Sequence, residues 1–438
     1  MSRTTVSLLL LTLALTISTV AQSSKYQPSE QDVNAIYAPI ETLYVDLHQH
    51  PELSFHEVQT AEKMAQGLRK LGFEVTTGVG GTGVVGVMKN GVGPTVLIRT
   101  DMDALPVPEK TGLPYASKVT TTDDAGNTVP VMHACGHDIH MSSWIGTATL
   151  LANNKNRWRG TVVMIGQPAE ERVAGASAMI KDGLFTRFPK PNYAIAIHDS
   201  SLYPAGAVSV VPGYTAANSD TVEITVFGKG GHGAAPEVTV DPIVLAARII
   251  VSLQTIVSRE TNPQNPAVVT VGYIQGGTKA NIIPDTVQMK LTIRSYKDEV
   301  REHIISAIER ISRGEAFAAG APREPEVKVV ESVHATYNDP VLADRLTAIL
   351  KKDFGDKNVM KGEPIMGAED FSEFGRAGIP SVIFWVGATE PAKLAEAKAK
   401  GINLPGPHSS LFAPYNPDTL KTAIRAESAA ALELLGQP

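Results

Sequence analysis

The sequence predicts an α/β domain with a central mixed sheet, interrupted by a smaller ferredoxin-like α+β unit. Three observations predict it. Buried-type strands alternate with amphipathic helical patterns up to about residue 217. Near residue 218 the texture changes to the order βαββαβ. Apolar strands of the first kind return after residue 331. A chain of 438 residues is also long for one core, which fits two domains. The expected division is a leader at 1–21, a main domain of 22–217 and 331–438, and an inserted domain of 218–330.

Taken in order, residues 1–21 read as an export signal. Arg3 supplies a positive start and residues 6–20 form an apolar run short for a bilayer crossing. Thr19-Val20-Ala21 places small residues where a signal peptidase cuts. The mature chain is thus expected in the periplasm or outside the cell, with an uncleaved anchor as the competing reading. No second apolar stretch is expected to span a membrane.

Residues 23–35 are polar and read as a loose lead into the fold. Val58, Ala61, Met64, Ala65, Leu68 and Leu71 recur at helical spacing, and Gly72 stops the helix. Strands are expected at 73–76, 84–88 and 95–99, then a helix from Ile139 to about Asn153. Apolar strands follow at 161–166 and 193–197, the second ending just before His198. In the inserted unit, 221–227 alternates with period two. Residues 242–257 read as a helix capped by Asp241, with Pro242 in its first turn. Strands at 267–273 and 286–293, a long helix at 297–317 and a strand at 327–330 complete the unit. Residues 381–386 are a further apolar strand, and the final helix starts near Asn416-Pro417-Asp418.

Composition excludes several classes. Hydrophobic residues make up 43% and charged residues 19%, a globular mix rather than a disordered one. A formal net charge of -6 without like-charge blocks lacks the basic footprint of a nucleic-acid binder. The single cysteine, Cys135, has no internal disulfide partner. In an exported protein a free thiol is a liability unless buried or bound to metal.

The densest polar cluster is His133-Ala-Cys-Gly-His-Asp-Ile-His140. Cys135 and His137 flank a glycine that permits a backbone bend, and thiolate and imidazole both suit zinc-like ions. A buried cysteine beside surface histidines is the alternative, and His133 and His140 read as structural. Gln167-Pro-Ala-Glu-Glu171 follows an apolar strand, where α/β sheets gather functional groups. One carboxylate there can hold a metal while its neighbour faces water; a solvated loop with two acids stays open. His198 falls at a similar strand end, and His408 lies in a late loop. Asp101 and Asp103 follow the strand at 95–99, where a carboxylate can orient a ligating imidazole.

These segments occur with Leu47-His-Gln-His-Pro-Glu-Leu-Ser-Phe-His-Glu57, Asp101-Met-Asp-Ala-Leu-Pro106, Gly228-Lys-Gly-Gly-His-Gly-Ala-Ala-Pro236, Asn281-Ile-Ile-Pro-Asp285, Gly367-Ala-Glu-Asp-Phe371 and His408-Ser-Ser-Leu-Phe412. In this order the chain resembles the M20 family of metallopeptidases, in the amidohydrolase subfamily that includes hippurate hydrolases and plant auxin-conjugate hydrolases. The resemblance implies two divalent ions, Mn2+ or Zn2+ with Co2+ as a third candidate, on Cys135, His137, Glu171, His198 and His408. It implies Glu170 as general base and Asp103 as support behind a ligand. It implies a lid that also forms homodimers, with His232 reaching the substrate and Asn281 holding its carboxylate. One departure is Ala196-Ile-His-Asp199, where the family has a small or apolar residue after the histidine. Asp199 is expected to alter metal preference or substrate polarity.

The expected activity is hydrolysis of a small amide, an N-acyl amino acid or related conjugate. A dipeptidase or carboxypeptidase, or a deacetylase of an acetylated amino acid such as acetyl-diaminopimelate, is the alternative on the same scaffold. A non-catalytic binding protein is the remote third, and it predicts lost ligands.

Overall fold

A computed structural model describes residues 26–438. The expected leader at 1–21 lies outside the described residues. The predicted α/β architecture with its ferredoxin-like insert is found.

The main domain is built on one eight-stranded mixed sheet. Its strands run in the spatial order Glu74–Val79, Gly83–Asn90, Gly160–Gln167, Thr95–Asp101, Tyr193–Pro204, Ser381–Thr389, Val208–Val210, Val359–Lys361. The four central strands are parallel to one another. They are apolar on both faces because helices cover both. Val33, Tyr44, Met64, Trp144, Leu346 and Ile424 pack from helices on one face. Met179, Leu184, Phe371 and Phe374 pack on the other.

The loose lead expected over 23–35 is instead partly helical. The helix Glu30–Gln49 opens with a capping box, in which Ser29 Oγ accepts from Asp32 N and Asp32 Oδ2 accepts from Ser29 N. Its buried face, Val33, Ile36, Ile40, Tyr44 and Leu47, has helical spacing that Pro39 inside the helix obscures. The strand expected to stop before His198 runs on to Pro204. His198 still lies past a neighbour's end, because Thr95–Asp101 pairs with that strand only as far as Ala196.

The insert folds as an antiparallel sheet in the order Ala267–Gly276, Thr286–Ser295, Ser219–Phe227, Glu326–Val333. Helices Pro242–Thr255 and Asp298–Ala318 pack on it around Val222, Leu291, Leu253 and Ile308. Asp241 caps the first of these, accepting from Ile243 N and Val244 N. The chain enters and leaves the insert through a two-stranded ribbon, Gly213–Ala216 against Thr336–Asn338. One expectation is corrected here. Pro242–Glu260, 19 residues with a hydropathy of 1.4, is long and apolar enough to cross a membrane by length and composition. Its Leu245, Ala246, Ile249 and Leu253 are nevertheless buried on the insert's sheet.

Candidate metal centre

The strand order Gly160–Gln167, Thr95–Asp101, Tyr193–Pro204 sets Asp101, Gln167 and His198 along one edge of the sheet. The helix His137–Asn153 begins at the same edge. Gly136, just before it, has φ 78°, and a Cβ there would lie 2.4 Å from Asp199 Oδ2. Glycine is needed on both counts, and the bend brings Cys135 and His137 to one place.

The imidazoles are oriented by carbonyls. His137 Nδ1 lies 2.8 Å from Asp103 O, and His198 Nδ1 lies 2.7 Å from Asp199 O. A carbonyl only accepts, so each Nδ1 carries a proton, and when the ring is neutral its Nε2 lone pair is the one left to bind a metal. His198 Nε2 is 3.5 Å from Cys135 Sγ. His137 Nε2 is 3.7 Å from Glu170 Oε2 and 3.8 Å from Glu171 Oε1. Glu171 Oε2 is 3.3 Å from His408 Nε2. The loop bearing His408 is pinned by His408 N donating to Ala134 O at 2.7 Å.

Cys135 thus belongs to two donor groups, Cys135/His137/His198 and Cys135/Glu171/His408, each with ligand atoms within 4.8 Å of one another. His137 Nε2 and Glu171 Oε1 are buried with no hydrogen-bond partner. Such atoms are costly unless something binds them, and thiolate, imidazole and carboxylate are suitable donors for a divalent ion. The protonation states agree. Burial, with the Glu171 charge adding, holds the Cys135 thiol well above its usual range. Burial, then Glu369 and Glu171, raises Glu170 well above a normal carboxyl. Glu171 is raised to about 7 by burial, opposed by His137 and reinforced by Asp103 and Asp101. Crowded buried acids of this kind favour a cation among them.

The site residues divide into two groups. Cys135, His137, Glu170, Glu171, His198 and His408 converge. Asp103 is behind them, with its Oδ1 3.5 Å from His137 Nδ1 and its backbone carbonyl closer still. Its Oδ1 and Oδ2 accept from Glu170 N and Glu171 N, each at 3.0 Å. His140 uses both nitrogens structurally, Nδ1 on Asp101 Oδ1 and Nε2 accepting from Asp199 N. Asp199 is wholly buried, 3.4 Å from His198 Nδ1. It also borders the cavity over the metal centre, so its charge lies beside both the imidazoles and the space open to a substrate. His232 and Asn281 sit together on the insert, where Gly233 N donates to Asn281 O, and neither lines the cavity over the metal centre.

That cavity, of about 780 Å³, lies between the main domain and the insert. Cys135, Glu170, Glu171, His198, Trp385 and His408 line it from below, and Thr221, Thr292, Arg294 and Glu331 from the insert. Trp385 packs on His198 with ring centroids 5.4 Å apart. Sequence reasoning missed Arg294 and Arg99. The signal for both was a lone cation closing an apolar or alternating strand.

Peptidase family M20/M25/M40 matches residues 97–403. Thermostable carboxypeptidase 1 of Saccharolobus solfataricus is 38% identical over 409 residues, 92% of this chain and 97% of that protein. Hippurate hydrolase of Campylobacter jejuni is 40% identical over 332 residues, 75% of this chain and 82% of that protein. The crystal structure of the Bacillus subtilis YXEP protein, a dinuclear metal binding peptidase from the M20 family, superposes with a TM-score of 0.72 at 30% identity, covering 92% of this chain and 98% of that one. With a family match across most of the chain and relatives aligned over most of their own length, the chain belongs to peptidase family M20/M25/M40.

Proposed function

We propose that the chain is a metal-dependent amidohydrolase that cleaves N-acyl amino acids or related small amides, with two divalent ions on Cys135, His137, Glu171, His198 and His408. The observation that carries this reading is the sharing of Cys135 Sγ between two donor groups. Bound there, divalent ions supply Lewis acidity to the amide carbonyl and lower the pKa of water. The thiolate favours softer ions, with zinc, manganese and cobalt as candidates.

Glu170 takes the proton from the attacking water and delivers it to the leaving nitrogen. Its raised affinity for a proton, set by burial and by Glu369 and Glu171, suits both steps. Arg294 receives the substrate carboxylate. It is half-buried in the cavity wall, and its hydrogen bonds go to Thr292 Oγ1 and Met366 O, not to an acid. A guanidinium so placed matches a carboxylate. His232 is proposed to bind the developing oxyanion, with Asn281 beside it. Both must travel to the cavity on a closing lid or on the lid of a second copy. The alternative, a carboxypeptidase, has support in the Saccharolobus relative and in Glu331 and Glu363 of the same wall, which can face a peptide ammonium.

The test is a substrate panel on protein stripped of metal and reconstituted with each ion. Hippurate, acetyl-amino acids and dipeptides should be compared with an acyl amide lacking the carboxylate. Hydrolysis should require metal, bind two ions per chain by elemental analysis, and fall away for the analogue without a carboxylate. Full activity in metal-free protein, or equal rates with and without the carboxylate, would overturn the reading.

A homodimer through the insert is proposed with it. The edge strand Ala267–Gly276 has an unpaired side and exposes Tyr273 and Ile274, and the neighbouring helix exposes Ile243, Val244 and Val251. An open edge beside apolar side chains is suited to self-pairing. Light scattering should give twice the chain mass for the wild type and the chain mass for Ile274→Lys with Val251→Glu. A monomeric wild type at micromolar concentration sinks the dimer.

A further inference from the structure

We infer that residues 47–57 form a brace that sets the metal centre from behind, with Glu57 as the positioning residue for the Glu170–Glu171 turn. The inference rests on the metal reading above. No side chain of this segment lines the cavity.

The turn Glu170–Arg172 needs such a brace. It is flanked by Ala169 at φ 50° and Val173 at φ 46°, both left-handed and neither a glycine. Residues with a Cβ disfavour that region, the β-branched valine most of all. Such a conformation persists only where its surroundings over-determine it. Here three successive amides are captured by two buried carboxylates. Ala169 N donates to Glu57 Oε1 at 2.8 Å, and Glu170 N and Glu171 N donate to Asp103. Glu57 and Asp103 are both fully buried. The brace also fixes Asp103, because Ser54 Oγ donates to Asp103 Oδ2 at 2.6 Å and Ala104 N donates to Glu52 O at 2.8 Å.

The other end of the segment holds the remaining ligand-bearing chain. His48 Nδ1 lies 2.6 Å from Asp138 Oδ2, next to His137. His48 Nε2 lies 3.1 Å from Glu109 Oε1. Lys110 N, one residue on, donates to Ser410 O at 2.8 Å in the loop that carries His408. One short segment therefore bonds to the neighbours of His137, Glu170, Glu171 and, through Glu109 and Lys110, His408. Partners of this kind orient ligands without touching the ion.

The experiment uses the full chain. Zinc affinity is measured by competition with a chromophoric chelator, together with thermal midpoint, kcat and KM, for Glu57→Ala, Glu57→Gln and Leu68→Ala. Glu57→Ala should lower zinc affinity and kcat by about 10–100-fold. Glu57→Gln should stay within about threefold, because its amide oxygen still accepts from Ala169 N and its amide nitrogen can donate to the Thr82 hydroxyl. Leu68→Ala, a buried apolar change about three turns along the helix Val58–Lys70 that follows Glu57, should lower the midpoint and leave zinc affinity intact. If Glu57→Ala does not fold, Glu57→Asp, one methylene too short to reach Ala169, is read in its place. Wild-type zinc affinity and kcat in the shortened variants, or an equal loss in Leu68→Ala, overturns the brace alone. A wild type that binds no zinc overturns the metal centre and the brace together.

Discussion

Glu170→Gln is expected to keep its metal and lose about three powers of ten or more in kcat. The amide preserves the size of the side chain and cannot carry a proton between water and the leaving nitrogen. Glu170 is almost wholly buried at the cavity floor, where burial and two neighbouring acids already raise its hold on a proton. Glu171→Gln should behave in the opposite way, losing metal first. Its carboxylate lies 3.3 Å from His408 Nε2 and shares a donor group with Cys135. Elemental analysis beside single-turnover kinetics separates the two. Metal loss from Glu170→Gln with metal kept by Glu171→Gln would reverse the assignment.

Arg99→Met is expected to cost about 3–5 kcal/mol of folding stability, the range for removing one side of a buried ion cluster. Arg99 is buried in the central sheet. It donates to Gln167 Oε1 at 3.0 Å, Asp101 Oδ2 at 2.7 Å, Glu369 Oε1 at 2.8 Å and Asp370 Oδ1 at 3.3 Å. Without it three buried carboxyls face one another. Asp370 is already raised to about 7 by burial, even though Arg99 opposes the rise. Arg99→Lys should recover little, since an ammonium lacks the planar fork that meets several acceptors at once. Urea unfolding at neutral pH gives the comparison, and a loss below about 1 kcal/mol would mean that the carboxyls simply take up protons.

Much of this architecture was legible in local pattern. The period-two alternation of 221–227 and the Asp241-Pro242 helix start are short-range signals, and they mark the insert correctly. The bend at Gly136 and the paired acids at Glu170-Glu171 were legible too, because both depend on a few adjacent residues. What failed was of longer range. The helix Glu30–Gln49 was hidden by Pro39, whose cost is outweighed by packing of Tyr44 and Leu47. Arg99 reads as a flaw in an apolar strand until Glu369 and Asp370, far along the chain, arrive beside it. Asp199 reads as a charge near the site, and its packing against the turn at Gly136 comes only with the fold. The separation of His232 from the cavity depends on how the insert sits over the main domain, and no periodicity encodes that.

The order of the proposed ligands along the chain has a consequence for assembly. Cys135, His137, Glu171 and His198 precede the insert, and His408 follows it. The strand Ser381–Thr389 must also be threaded beside Tyr193–Pro204 before the sheet is whole. A nascent chain therefore cannot complete the donor set until the insert has been synthesised and its flanking strands have met. The Cys135/His137/His198 group is complete in the chain before the insert, whereas the Cys135/Glu171/His408 group needs the chain beyond it, so on the proposed ligand set the second ion can be held only after the insert has been made.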